Sequence, residues 1–218
     1  MFARLKQSLS VWLIKKVQRY GPQRVRVLGD IYEISEEVFN PGYYYTSKFM
    51  AKHIEVEPED MVLDMGTGSG IQAITAARRA SKVIAIDINP AAVRFARKNV
   101  RANGLESIVS VIEGDLFSPL YRQRIFSVIF FTPPYMDGTP KTNFDKALFD
   151  SNKGLVERFF DEAREYIKSD GYIQMIYSSI AKPEQALRIS RQLGWNHELI
   201  AQEKTFMERF LIYRLTLI

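Results

Sequence analysis

The chain has 218 residues, 46% of them hydrophobic, which suits one domain with a sizeable core. It has no cysteine, which excludes disulfides, a thiolate nucleophile and cysteine metal sites, and its two histidines, His53 and His197, lie far apart, so no metal is expected. The formal charge is +5 and no apolar run approaches the ~18 residues of a membrane helix, so the sequence reads as a soluble, cytoplasmic protein.

The basic excess sits at the start. Residues 1–29 hold Arg4, Lys6, Lys15, Lys16, Arg19, Arg24 and Arg26 and no acid, whereas the remainder carries 23 bases against 25 acids. Phe2, Leu5, Leu9, Trp12, Leu13 and Val17 recur at helical spacing between these bases, and Gly21-Pro22 stops the helix. Four readings stay open for it: a nucleic-acid or ribosome contact, a membrane-surface helix, an organellar targeting segment, or an ordinary helix with its apolar face on the domain. Arg24–Leu28 and Ile31–Ile34 read as short strands around a turn at Gly29-Asp30. Residues 1–34 are thus a basic helix and hairpin in front of a domain over 35–218. Tyr43, Tyr44 and Tyr45 follow a Pro-Gly turn, where they could stack on an adenine or a target base or pack as ordinary surface rings. A helix over Thr46–Ile54 comes next.

Met61-Val-Leu-Asp64-Met-Gly66-Thr67-Gly68-Ser-Gly70 reads as a buried strand, a glycine turn and the start of an apolar helix. Glycines there allow positive φ and let the backbone approach a ligand, with helix N–H groups facing it. A dinucleotide fingerprint wants Gly or Ala where this chain has Ile71, and Asp64 precedes the glycines, where it can accept from an ammonium group. Both favour S-adenosylmethionine (SAM) over NAD. Lys82–Asp87 is a second strand ending in an acid, 23 residues after Asp64, at the distance where a carboxylate accepts ribose hydroxyls. Asn89-Pro90 opens a helix as N-cap and first turn. Ser107–Ile112 is a third strand, running to Asp115, and Ile125–Phe131 a fourth, running into Thr132-Pro133-Pro134-Tyr135. Each acid alone could merely cap a helix or end a strand; together they converge on the crevice at the C-terminal ends of an open α/β sheet.

Met136–Asp145 is polar and contains Gly and Pro, which suits a mobile lip over a substrate. A helix over Ala147–Lys168, a strand over Tyr172–Tyr177, a helix over Pro183–Leu193 and a hairpin of Trp195–Ala201 with Phe206–Leu217 complete the chain. The fold class is α/β: a Rossmann-like, seven-stranded, mostly parallel sheet with helices on both faces and a C-terminal antiparallel hairpin.

These residues carry a resemblance. Over roughly 35–218 the chain resembles the class I SAM-dependent methyltransferases, and within them the HemK-type glutamine methyltransferases, whose Asn-Pro-Pro-Tyr turn holds an amide or exocyclic amine. Here Thr132 stands where that family has Asn, Asp or Ser. The resemblance implies a cofactor site of Asp64, Gly66, Thr67, Gly68, Gly70, Asp87, Ile88, Asn89, Asp115, Leu116 and Thr132. Asp87 would take the ribose and Asp115 the adenine amine. It also implies a catalytic turn, in which the Pro133 carbonyl and the Thr132 side chain accept the two N–H hydrogens while Tyr135 stacks on the planar group beside Pro134. The implied activity is N-methylation, of a protein glutamine amide or of an exocyclic amine in RNA or DNA; a non-catalytic SAM-binding module is the reading from another class. The family's larger bacterial members carry a longer recognition domain in front, so the basic arm 1–29 is expected to contact the macromolecular substrate, a ribosome or a translation factor, and to be dispensable for SAM.

Overall fold

The computed structural model describes residues 14–134, 136–181, 183–206 and 208–218. The N-terminal helix of the sequence pattern is seen over residues 14–20, here α1, and ends where Gly21-Pro22 predicts. Strands β1 (Arg24–Val27) and β2 (Asp30–Glu33) form an antiparallel hairpin. Its turn is Leu28-Gly29, one residue earlier than the sequence suggests, with φ of 52° and 96°. Positive φ at both central residues is what a type I′ turn requires, and its twist matches that of the flanking strands.

The main sheet has the order β5-β4-β3-β6-β7-β9-β8, with β3 Met61–Met65, β4 Lys82–Asp87, β5 Val109–Glu113, β6 Phe126–Phe131, β7 Ile167–Ser178, β8 Trp195–Lys204 and β9 Arg209–Leu217. The first five pair in parallel and β9 runs antiparallel to both β7 and β8, the seven-stranded sheet with terminal hairpin expected from the sequence. Side chains alternate between its faces. Val62, Val128, Phe130 and Ile176 join helices α2 (Tyr45–Lys52), α3 (Ile71–Ala76) and α4 (Pro90–Ala102) in one core cluster. Leu63, Ile129, Phe131 and Met175 join α6 (Gly154–Ala163) and α7 (Pro183–Gln192) in another. Helices therefore cover both faces, and runs such as Val128–Phe131 are apolar throughout because neither side meets water. The order reverses around β3, which lies between β4 and β6, so the crevice at the strand ends opens there.

One predicted helix is wrong. The stretch from Ala147 to Lys168 is interrupted: α5 (Asn143–Lys146) is a single turn, Met136 bridges Phe149, a 3₁₀ turn spans Ser151–Lys153, and α6 begins only at Gly154. Asn152 and Lys153 have φ of 55° and 61°, outside helical backbone. The Asp150 carboxylate accepts from Leu155 N (3.0 Å) and Val156 N (3.3 Å), starting a new helix there. At the other end the chain has already become strand by Ile167, which pairs with Phe126.

Candidate active site

A cavity of about 490 Å³ opens at the C-terminal ends of β3, β4, β5 and β6, a size typical of small-molecule sites. Its first wall is the loop after β3. Gly66 N and Thr67 N donate to Ile86 O at 2.8 and 3.0 Å, which ties the loop to β4. Gly66 and Gly68 have φ of 76° and 56°, and a methyl group added to either would meet nothing within 4 Å, so the bare backbone faces open space where a ligand can approach. Gly70 does not line the cavity; it precedes α3 and lies against Ala96 of α4.

Asp64 lies behind this loop, 3% exposed and outside the cavity lining. Its Oδ2 accepts from Thr67 Oγ1 at 2.6 Å and from Ala73 N at 3.1 Å, so it fastens the turn to the first turn of α3. Burial pushes its carboxyl up to about 7, against the pull of those two donors. Asp87 does line the cavity. Its Oδ2 accepts from Gly68 N (2.8 Å) and its Oδ1 from Asn89 N (2.9 Å), which leaves each oxygen a second lone pair. Burial raises its carboxyl, opposed by the N–H groups of Asn89, Gly68 and Ile88 and by the Lys146 ammonium. Ile88 and Asn89 continue the wall; Asn89 caps α4 by accepting from Ala91 N (3.0 Å), and its Nδ2 donates to Glu37 O (2.8 Å). Asp115 and Leu116 line the far end, where Asp115 Oδ2 lies 3.0 Å from the Arg158 guanidinium. Thr132, Pro133 and Pro134 line the cavity as the continuation of β6; Tyr135 lies outside the described residues.

The second wall comprises Glu37, Val38 and Phe39 on one side and Pro140, Asn143, Lys146 and Ala147 on the other, the latter in and beside the lip expected over a substrate. Far from being a loose lip, 140–147 is pinned by Asp145, whose Oδ2 accepts from Lys141 N (3.1 Å) and Thr142 N (3.2 Å) while Thr142 Oγ1 accepts from Asp145 N (3.1 Å), a capping box. The Lys15 ammonium of α1 lies 2.6 Å from Asp145 Oδ1. Gln18, also on α1, donates through Nε2 to Ser35 O (2.8 Å) and Val38 O (2.5 Å), and its Oε1 accepts from Asn40 N (3.3 Å). Phe39 stacks on Phe144, ring centroids 5.2 Å apart, joining the two sides. Tyr43, Tyr44 and Tyr45 are not in the lining: Tyr44 donates to Ile14 O (3.2 Å), and Tyr45 packs on Phe49 and Phe210. Asn99 was also missed. Its Nδ2 donates to Glu33 O and to Ser69 O, both at 2.9 Å, and its Oδ1 accepts from Glu33 N (2.7 Å), so it joins the β1–β2 hairpin to the glycine loop. Both histidines belong to the structure rather than the site: His53 Nδ1 bonds Phe49 O (2.8 Å) and His197 faces Tyr213 edge-on.

Residues 38–208 match the Methyltransferase small domain. The chain belongs to this family. It is 30% identical over 196 residues to a protein of Methanocaldococcus jannaschii named as a candidate protein N5-glutamine methyltransferase, a match covering 86% of this chain and 96% of that one. It is 35% identical over 126 residues to the ribosomal protein uL3 glutamine methyltransferase of Bradyrhizobium diazoefficiens, where the match covers 51% of this chain and only 39% of the relative. In fold it is similar to the E. cuniculi Mtq2-Trm112 complex responsible for methylation of the eRF1 termination factor, with a TM-score of 0.58 at 20% identity over 84% of this chain and 99% of that one. The protein is a class I methyltransferase enzyme, which sets aside the non-catalytic module. Class I membership implies SAM as methyl donor, and the cavity fits it: a glycine turn with open space above it and carboxylates at the ends of β4 and beyond β5. Among the described residues no helix is long and apolar enough to cross a membrane, and no cluster of three or more His, Cys, Asp or Glu could hold a metal.

Proposed function

We propose that this methyltransferase transfers a methyl group to a planar nitrogen, a glutamine amide of a protein. The observation that carries the reading is the turn Thr132-Pro133-Pro134, which leaves β6 directly into the same cavity as the glycine loop and Asp87. Similarity over nearly the whole length of the M. jannaschii protein supports the amide as acceptor. Bound SAM supplies an electrophilic methyl on a sulfonium. The chain's share is position and electrostatics. Asp87 has lone pairs left for the ribose hydroxyls after serving Gly68 N and Asn89 N. Asp115, held by Arg158, and the Leu116 backbone face the adenine. An amide nitrogen is a poor nucleophile because its lone pair is delocalised into the carbonyl. The Pro133 carbonyl and the Thr132 hydroxyl accept its N–H hydrogens and return electron density to nitrogen as charge develops.

An exocyclic amine of RNA is the second reading, favoured by the seven bases and no acid of residues 1–29. Labelled methyl uptake in an extract of ribosomes and translation factors separates the two. Nuclease-resistant, protease-sensitive label supports the protein amide; nuclease-sensitive label supports RNA and overturns the first reading.

A further inference from the structure

We infer that Lys15 is a positioning residue of the cofactor site: through Asp145 it holds α5 so that Lys146 faces the acid wall, making the end of the basic arm part of the cavity. This rests on the reading of the cavity as the SAM site, and it reverses the sequence-based expectation that the arm is dispensable for SAM.

Two contacts tie α1 to the two sides of the second wall, and a third, to Tyr44, lies beside it. The Lys15 ammonium meets a buried carboxylate at 2.6 Å, with Lys15 half-exposed and the Asp145 side chain 4% exposed. That carboxylate already gathers the N–H groups of Lys141 and Thr142, so it is the knot of the whole 141–146 turn. The next residue is Lys146, which lines the cavity and acts electrostatically on Asp87 across it. Independently, Gln18 grips Val38 O and Ser35 O on the opposite side, and the Ile14 carbonyl accepts from Tyr44. The Phe39–Phe144 stack then closes the two sides against each other. Removing the Lys15 charge leaves a buried carboxylate without that cation, served by the N–H groups of Lys141 and Thr142 and by the Thr142 side chain. The turn must then shift or admit water, and Lys146 shifts with it. Because linkage is reciprocal, whatever engages the arm is coupled to cofactor occupancy.

The test uses the full chain, titrated with SAM by calorimetry and followed by hydrogen exchange at the amides of Lys141, Thr142 and Asp145. Lys15→Met is expected to weaken SAM about five- to tenfold, the low end of coupling between sites, and to speed exchange at those amides while leaving the β3 and β4 amides protected. Lys15→Arg, which restores the charge, should return affinity to within about twofold of the parent. Lys146→Met should weaken SAM as well, and the Lys15→Met/Lys146→Met pair should lose less than the product of the single losses. Parental affinity in Lys15→Met, failure of Lys15→Arg to rescue, or full additivity each overturns the inference. Asp87→Ala separates this from failure of the cofactor reading: if Asp87→Ala loses SAM while Lys15→Met does not, only the role of Lys15 falls, whereas a parent chain that binds no SAM removes the reading beneath it.

Discussion

The two walls of the cavity are built in different ways. The first, from Gly66 to Asn89, is backbone carried at the ends of two paired strands: positive φ at the glycines, two N–H groups of the β3 loop on Ile86 O of β4, and a carboxylate two residues before the amide it accepts from. The second is made of side chains that meet across the chain, Lys15 with Asp145 and Gln18 with Val38, Ser35 and Asn40. The difference teaches that the first wall comes with the strand–turn–helix pattern of the sheet itself, while the second depends on particular side-chain contacts that include the end of the arm.

That contrast can be broken or sharpened by substitution. The largest effect is expected at Thr132, where the first wall meets the chemistry. Thr132→Val keeps the shape and removes the acceptor, and should lower turnover by on the order of 10²-fold at saturating SAM, read from single-turnover kinetics. Asp87→Ala removes the carboxylate that holds the loop and is proposed to take the ribose, and should weaken SAM by about 1.5–3 kcal/mol.

Asp64 tests the first wall's interior. Its folded carboxyl lies near 7, above the ordinary value, so the folded chain keeps a proton that the unfolded chain has released. Stability should therefore fall as pH rises from about 4 to about 7 and stay low above that. Asn accepts the same two N–H and O–H donors without charge, so Asp64→Asn should flatten this fall and gain on the order of 1–3 kcal/mol at pH 8, read from thermal unfolding at pH 5 and 8. The second wall gives the smaller response: Gln18→Ala forfeits three hydrogen bonds, two of them buried, and should cost about 1–2 kcal/mol of stability by denaturant unfolding.

How legible each wall was follows from its construction. The strand ends beside Asp64 and at Asp87 and Phe131, the cap at Asn89 and the terminal hairpin were all readable, because apolar runs, glycine turns and capping residues leave their mark within a few neighbours. Asp145 looked like one more acid in a polar lip, since nothing near it announces that a lysine 130 positions earlier will reach it. The apolar spacing through Leu155, Val156, Phe159 and Phe160 made one long helix plausible from Ala147. The break is set by Asp150 and by left-handed backbone at Asn152 and Lys153, stabilised by the Met136–Phe149 bridge, which only the folded chain supplies. For the three tyrosines the sequence left stacking on a ligand and ordinary ring packing both open, and in the folded chain Tyr44 turns to α1 and Tyr45 to Phe49 and Phe210, while Phe39, Phe131 and Phe149 are rings that line the cavity.

The central claim is that Thr132, Pro133 and Pro134 present a planar nitrogen to the methyl group. Tandem mass spectrometry of the labelled product from the ribosome-and-factor extract reads the modified atom directly. A methyl on the side-chain nitrogen of a glutamine is the predicted result, and a methyl on carbon or oxygen would contradict it.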